Sequence, residues 1–542
     1  MWLFGNLNSL VGLMYTLTSM LPDVPGIIVN RISDFDYSDE MQPLSHIQKI
    51  NSADVNVARE GRFPNDFLFG VSTSAYQTEG AWNVSNKSQS VWDYMTHQQP
   101  GIVKDETNAD IAANSYYLYK TDIELSKQVG ANAFRISLSW PRILPNGFSN
   151  YINAKAIDHY NNVIDEMLRR NITPVVTIYH WDLPQKLQDL GGWSNPLIID
   201  WFVDFARIAF DAFGDRVKYW VTINEPSIFC GFGYGGDWIP LVQQSGVADY
   251  LCGHHALIAH AKAYEMYQNE FAADQEGQVG IVISLSWPVA ENPEDEEELE
   301  GVERWFQFRN GWFLHPIFSD DGDYPKEMIE RISYHSDLQG FSKSRLPKFS
   351  ENEIEMIKNS ADYLGINFYH ASSIRKWTDY DIKNTVSFYS DIGMLEKPEL
   401  EYSTTFTDRC TPWALVAAIQ RMNKEFNIST MIITENGYWD RGQLADISRA
   451  RYHHLHLSEI PKLIAQGINI RGYFVWSLID NFEWMNGYSV KFGIFSVDFE
   501  DPLRNRIPKM SSKVISDIYK TKKISPFFWP LENKEFGINV IE

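Results

Sequence analysis

The sequence predicts an α/β fold, a single (β/α)8 barrel of the TIM type with extended βα loops. Short β-branched or apolar runs alternate eight times with stretches of helical spacing, as parallel βα units do. Polar and aromatic residues that break the apolar pattern fall at the C-terminal ends of those runs, the end at which such a barrel opens. The length, 542 residues, suits one barrel enlarged by its loops.

In chain order, residues 1–22 are moderately apolar and uncharged, a candidate signal peptide that lacks the usual positive start. Residues 23–62 mix Asp, Ser, Asn and Glu without a sustained period and read as a solvated, poorly ordered leader. The folded domain is expected over 63–530, with a tail at 531–542. Strands are expected at 67–76, 131–138, 172–180, 218–224, 278–285, 363–368, 431–434 and 470–477. Helical spacing lies between them, as at 156–169, where Ile157, Tyr160, Val163, Ile164 and Met167 share a face, and at 196–213 and 449–465. Closure follows because an open parallel sheet of eight strands would leave two edges to protect. The acidic run 291–300 and the stretch 341–350 read as solvated surface insertions.

Composition narrows the partners. With 47 Lys+Arg against 70 Asp+Glu the formal charge is −23, which excludes nucleic acid or an anionic membrane surface as the main partner and favours a neutral small molecule. No apolar run of 18 residues follows the N-terminus, so no integral membrane span is expected. The three cysteines, Cys230, Cys252 and Cys410, allow one bridge at most and form no zinc pattern. Four sequons, at Asn83, Asn86, Asn171 and Asn427, agree with a secreted glycoprotein. The sequence leaves monomer and homodimer both open.

Seven of the eight strand ends carry groups with chemistry: Gln77 and Glu79; Arg135 and Trp140; His180, Trp181 and Asp182; Asn224 and Glu225; Asn367 and Tyr369; Glu435 and Asn436; and Trp476 ahead of Asn481, Glu483 and Trp484. Glu225 and Glu435 directly follow the fourth and seventh apolar strands and can face each other across the mouth. Cleavage of a glycosidic bond needs one carboxylic acid to protonate the leaving oxygen and one carboxylate opposite it. A gap of about 5–5.5 Å implies a covalent intermediate, and a wider one an inverting water.

From about residue 63 to 519 the chain resembles family 1 glycoside hydrolases, the retaining β-glucosidase and myrosinase-like group. The resemblance rests on 70–81 (GVSTSAYQTEGA), 135–140 (RISLSW), 179–184 (YHWDLP), 222–226 (TINEP), 433–437 (ITENG) and 475–484 (VWSLIDNFEW), in this order and spacing. It implies retaining hydrolysis of β-O-glycosides, with Glu225 as general acid/base and Glu435 as nucleophile. It further implies that Asn224 holds the sugar 2-hydroxyl and that Arg135 and Tyr369 orient Glu435. Gln77, His180, Glu483 and Trp484 would grip the other hydroxyls, Trp476 would floor the sugar, and Phe492 would close the pocket near its 6-hydroxyl. The helix before the second strand departs from the family with Ala113, Asn114, Ser115 and Tyr116, and Thr78 replaces a branched apolar residue; neither touches a proposed catalytic role.

No cofactor or metal is expected. His254-His255 and His453-His454-Leu455-His456 form no metalloprotease pattern, and the stretch Asp446, Arg449, Tyr452, His456 is structural at this place in the family. The glycine-rich run 231–236 follows Glu225 with no basic residue after it, so it reads as a flexible loop beside the active site. Glu483 facing a phosphate would repel it, which favours an unphosphorylated glycone. Thioglucoside cleavage and transglycosylation on the same site are the alternatives, and a non-catalytic sugar-binding or receptor-partner barrel is a third. Retention of both glutamates speaks against that third reading.

Overall fold

The computed structural model describes residues 49–236, 241–378, 380–397 and 406–525. The expected signal peptide 1–22, most of the leader and the tail 531–542 lie outside the described residues. Eight strands, β1 (Leu68–Ser72), β2 (Ala133–Ser137), β3 (Thr173–Tyr179), β4 (Tyr219–Asn224), β5 (Gln278–Ser284), β6 (Tyr363–Phe368), β7 (Met431–Asn436) and β8 (Ile470–Trp476), pair in parallel in chain order. β8 closes on β1, with Ser72 opposite Trp476. The chain is therefore the predicted (β/α)8 barrel.

All strands are fully buried except the two end residues of β5, because helices cover the outside and side chains fill the inside. Leu68, Ala133, Val175, Tyr219, Val221, Val282, Tyr363, Ile432 and Phe474 meet in one buried cluster drawn from strands around the whole barrel. Gly70 is needed there, since a Cβ would stand 2.1 Å from the Phe474 ring.

Four expectations need correction. The first strand stops at Ser72 rather than 76, and Ala75–Thr78 turns into a helical turn; Ala75 N donates to Ser137 Oγ and Thr78 Oγ1 to Ser74 O, so local bonds replace the ladder. The leader 23–62 is not unstructured throughout, because Ser52–Arg59 is a helix. Asn51 and Asp54 cap it reciprocally, and Asp54 also meets the buried Arg471 on β8, two features that hydrophobic periodicity does not register. Stretch 341–350 is not merely a surface insertion. Its Arg345 is buried and holds Asp391 with both terminal nitrogens, at 2.6 and 2.8 Å. The glycine-rich run is no irregular loop either, for Phe229–Tyr234 forms a π-helical turn, and Cys230 in it is joined by a disulfide to Cys252 in helix Ala248–Glu270.

The acidic run 291–300 enters helix Glu296–Phe306, which Asp295 caps and whose first turn gathers Glu296, Glu297 and Glu298 where the helix dipole favours them. A small sheet of Trp287–Ala290, Ala371–Lys376 and Met394–Glu396, not foreseen from the sequence, joins the chain after β5 to the chain after β6.

Candidate active site

At the C-terminal ends of the strands the expected residues converge through one cation. Arg135 on β2 is fully buried and its guanidinium divides three ways. Nε donates to Thr177 Oγ1 (3.1 Å), one terminal nitrogen to Glu435 Oε1 (2.5 Å) and the other to Asn224 Oδ1 (2.6 Å). Strands β2, β4 and β7 are thereby tied at one height, with Glu435 and the residue preceding Glu225 on the same fork.

Glu435 receives a second donor, the Tyr369 hydroxyl, at 2.6 Å from Oε2. Burial, followed by the Glu435 charge, pushes the Tyr369 hydroxyl well above its ordinary range, so it remains a donor. Tyr369 is itself fixed by Tyr452, whose hydroxyl donates to its carbonyl, while Asn436 Nδ2 donates to Phe368 O at 2.6 Å. Strand register adds a row: Ser284 of β5 lies opposite Asn367 of β6, and Asn367 opposite Glu435 of β7.

Glu225 leaves β4 in a left-handed conformation, φ 49° and ψ 59°, which costs a non-glycine residue of order 1 kcal/mol or more. The turn is held by its N–H on Val282 O at 2.8 Å and by Pro226 behind it. Burial first and the nearby Glu435 carboxylate second push the Glu225 carboxyl up to about 8, against hydrogen bonds from Asn367 and Ser284 and the charge of Arg135. Glu483 rises to about 8 for the same two reasons, although Trp476 and Gln77 donate to it. Within this nest of three carboxyl groups Glu225 and Glu483 are the two pushed toward their protonated forms, while Glu435 is the one paired with Arg135.

The remaining residues form two arcs. Gln77 Nε2 reaches Glu483 Oε2 (3.3 Å), Asn481 Oδ1 (3.1 Å) and Phe482 O (3.0 Å), and its Oε1 accepts from Ser74 Oγ, so the β1 end is clamped to the β8 loop. His180 is buried and kept neutral first by desolvation and then by the Arg135 charge. Its Nε2 lies 3.3 Å from Asn224 Nδ2, and its Nδ1 has no partner among the described residues. With Nε2 accepting from the Asn224 amide, the proton sits on Nδ1, an atom sealed inside the protein. The His180 ring stacks at 6.0 Å on Trp476 and at 6.2 Å on Trp484, and Trp484 packs against Trp181 and Trp92. Phe492 is half-buried, with its ring edge-on to Tyr369 at 5.7 Å.

Some contributors had no role in the sequence reading. Asn367, noted there only as a polar strand end, has its amide oriented by Thr434 Oγ1, which donates to its Oδ1 at 2.7 Å; its Nδ2 then faces Asn224 Oδ1 and Glu225. Ser284 on the neighbouring strand also bonds Glu225. Trp181 Nε1 donates to Asn224 O at 2.9 Å. Their position as inward residues at strand ends was a signal, but the partner was not visible. The histidine run has a structural explanation: His453 bonds the Tyr473 hydroxyl and His456 the Tyr452 carbonyl.

The model of Glycosyl hydrolase family 1 matches residues 59–524. Myrosinase 1 of Brevicoryne brassicae is 39% identical over 475 residues, covering 85% of this chain and 99% of that one. Human cytosolic beta-glucosidase is 37% identical over 471 residues, covering 84% and 98%. Among solved structures, a mutant rice beta-glucosidase in a covalent complex with Glc superposes with a TM-score of 0.77 at 33% identity, covering 84% of this chain and 98% of that one.

Proposed function

Because the chain belongs to glycosyl hydrolase family 1 and is a retaining β-glycosidase, we propose that Glu435 is its nucleophile and Glu225 its general acid/base. The observation that carries this assignment is the division of labour around Arg135: the guanidinium and the Tyr369 hydroxyl hold Glu435 as an aimed anion, while burial keeps the proton on Glu225. In the first step a Glu435 oxygen bonds to the anomeric carbon as the glycosidic C–O bond breaks and the Glu225 proton passes to the leaving oxygen. Esterification removes the Glu435 charge, one of the two causes that raise Glu225. Glu225 then ionises more readily, takes a proton from water, and the water oxygen displaces Glu435 from the sugar.

The glycone we propose is unphosphorylated. Gln77, His180, Asn224, Glu483 and Trp484 offer the hydroxyls fixed donors and acceptors, Trp476 a flat floor, and Phe492 a wall beside the nucleophile side. Protonated Glu483 suits a neutral hydroxyl, and once ionised it would repel a phosphate. Retention of Glu225 favours O-glycosides, whose leaving oxygen needs a proton. The similarity to a protein named myrosinase supports thioglucosides as a second reading. A secretory route is part of the proposal, supported by the Cys230–Cys252 bridge and by the exposure of Asn83, Asn86 and Asn427 in their sequons.

The test is covalent trapping. Incubation with a 2-deoxy-2-fluoro-β-glucosyl fluoride is expected to inactivate the protein with one sugar per chain, located by peptide mass on Glu435. Attachment elsewhere, or none, rejects the assignment.

Asn367 supplies a finer check. Its donor stabilises ionised Glu225, so Asn367→Leu lets Glu225 hold its proton to higher pH. The alkaline limb of the kcat/KM profile moves upward by up to about one unit, the acid limb stays, and Asn367→Gln restores part of the shift. A profile that loses amplitude at all pH values without moving would show a packing role only.

A further inference from the structure

Arg309 stands apart from the other buried arginines. Arg135, Arg142, Arg345, Arg449 and Arg471 each meet a carboxylate, from Glu435, Glu79, Asp391, Asp446 and Asp66 in turn. Arg309 is 8% exposed, yet among the described residues it has neither an ion pair nor a hydrogen-bond acceptor. Its Nε is sealed from solvent without a partner, while its terminal nitrogens, equally unpartnered, are not among the sealed atoms and so touch solvent. Two rings flank the guanidinium, Phe232 at 5.4 Å and Trp305 at 5.6 Å from its carbon. Cation–π attraction offsets only part of the cost of removing a guanidinium from water.

The position ties this cation to the leaving-group side of the barrel. Phe232 lies in the turn that follows Glu225. Trp305 Nε1 donates to Ser286 Oγ at 3.2 Å, while the Asn310 side-chain amide accepts from Ser286 N–H at Oδ1 (2.9 Å) and donates from Nδ2 to Ser286 O (2.7 Å). Ser286 is two residues beyond Ser284, which bonds Glu225. Apart from Asn224 on β4, the glycone residues come from the ends of β1, β3 and β8, and β1 and β8 lie across the ring from β5 and β4. On the proposed roles, a leaving group protonated by Glu225 would depart on the β4–β5 side, where the loops carrying Phe232 and Arg309 begin.

We infer that Arg309 is an oxyanion-recognition residue for the aglycone, selecting glycosides whose leaving group carries a carboxylate or a sulfur oxyanion. The inference rests on the glycosidase reading above and deepens it. A guanidinium whose two terminal nitrogens are open can hold such a group bidentately. With a net charge of −23 the protein as a whole repels anions, so a preference for them has to come from a local cation.

The experiment uses the full chain and phenyl β-glucosides bearing a carboxylate at the ortho, meta or para position, each paired with its methyl ester, plus a sulfonate series. For at least one position, kcat/KM of the anion exceeds that of its ester. In Arg309→Met that ratio falls roughly tenfold or more, through KM, while Arg309→Lys keeps part of it. The sulfonate arm shows which oxyanion fits better. Esters always preferred in the unaltered protein, or an anion-to-ester ratio unmoved in both variants, overturns the inference and leaves the glycosidase reading intact. Absence of turnover on every substrate overturns both.

Discussion

Glu435→Gln is expected to abolish turnover of aryl β-glucosides, with a loss on the order of 10^5-fold or more even for the best leaving groups. Leaving-group activation does not help, because the missing event is bond formation at the anomeric carbon. The amide is a poor nucleophile, and its NH2 would have to face either the Arg135 nitrogen or the Tyr369 hydroxyl, both of which donate to Glu435. The variant should keep its fold, since Arg135 retains Asn224 and Thr177 as acceptors. Steady-state rates with dinitrophenyl and unactivated phenyl glucosides, alongside thermal unfolding, measure this. Substantial residual hydrolysis of the dinitrophenyl substrate by a folded variant would remove Glu435 from the nucleophile's place.

Glu225→Gln should behave differently in three respects. Unactivated glycosides lose about 10^2–10^4-fold, because the leaving oxygen must depart without a proton. Dinitrophenyl glucosides keep their first step but accumulate the glycosyl ester, since no base activates water, so KM falls together with kcat. Azide, which needs no base, then restores turnover and yields the β-glycosyl azide. The alkaline limb of the pH profile should also vanish. On the proposed roles Glu225 acts as an acid only while protonated, and burial with the nearby Glu435 carboxylate, which push its carboxyl up to about 8, set where the limb falls; a glutamine has no proton to lose. Equal loss in both variants, with no azide product, would contradict the division of roles.

The two sets of predictions draw on unequal parts of the sequence. The barrel was legible because each strand is a short apolar run and each covering helix an amphipathic one, so periodicity alone separates them. Glu225 and Glu435 were legible as mouth residues because each directly follows a short apolar strand in a set of seven polar strand ends, and their roles came from the family resemblance. The helix Ser52–Arg59 escaped because a capping box and the Asp54–Arg471 pair hold it rather than an apolar stripe. Arg345 escaped because its partner Asp391 is far along the chain and both sit in stretches without a period.

The sequence by itself determined the closed eight-stranded barrel, the order of its strands and the identity of the residues at its mouth, since these follow from local alternation of apolar and polar side chains. Only the tertiary structure decided which carboxyls are pushed toward protonation and which one is paired with a cation. That choice depends on burial, on Arg135 dividing between Glu435 and Asn224, and on the Ser284, Asn367, Glu435 row across three strands. It also decided that Arg309 stands buried without an anion among the described residues. Charge energetics depend on distance and desolvation, and neither is encoded in the spacing of residues along a chain.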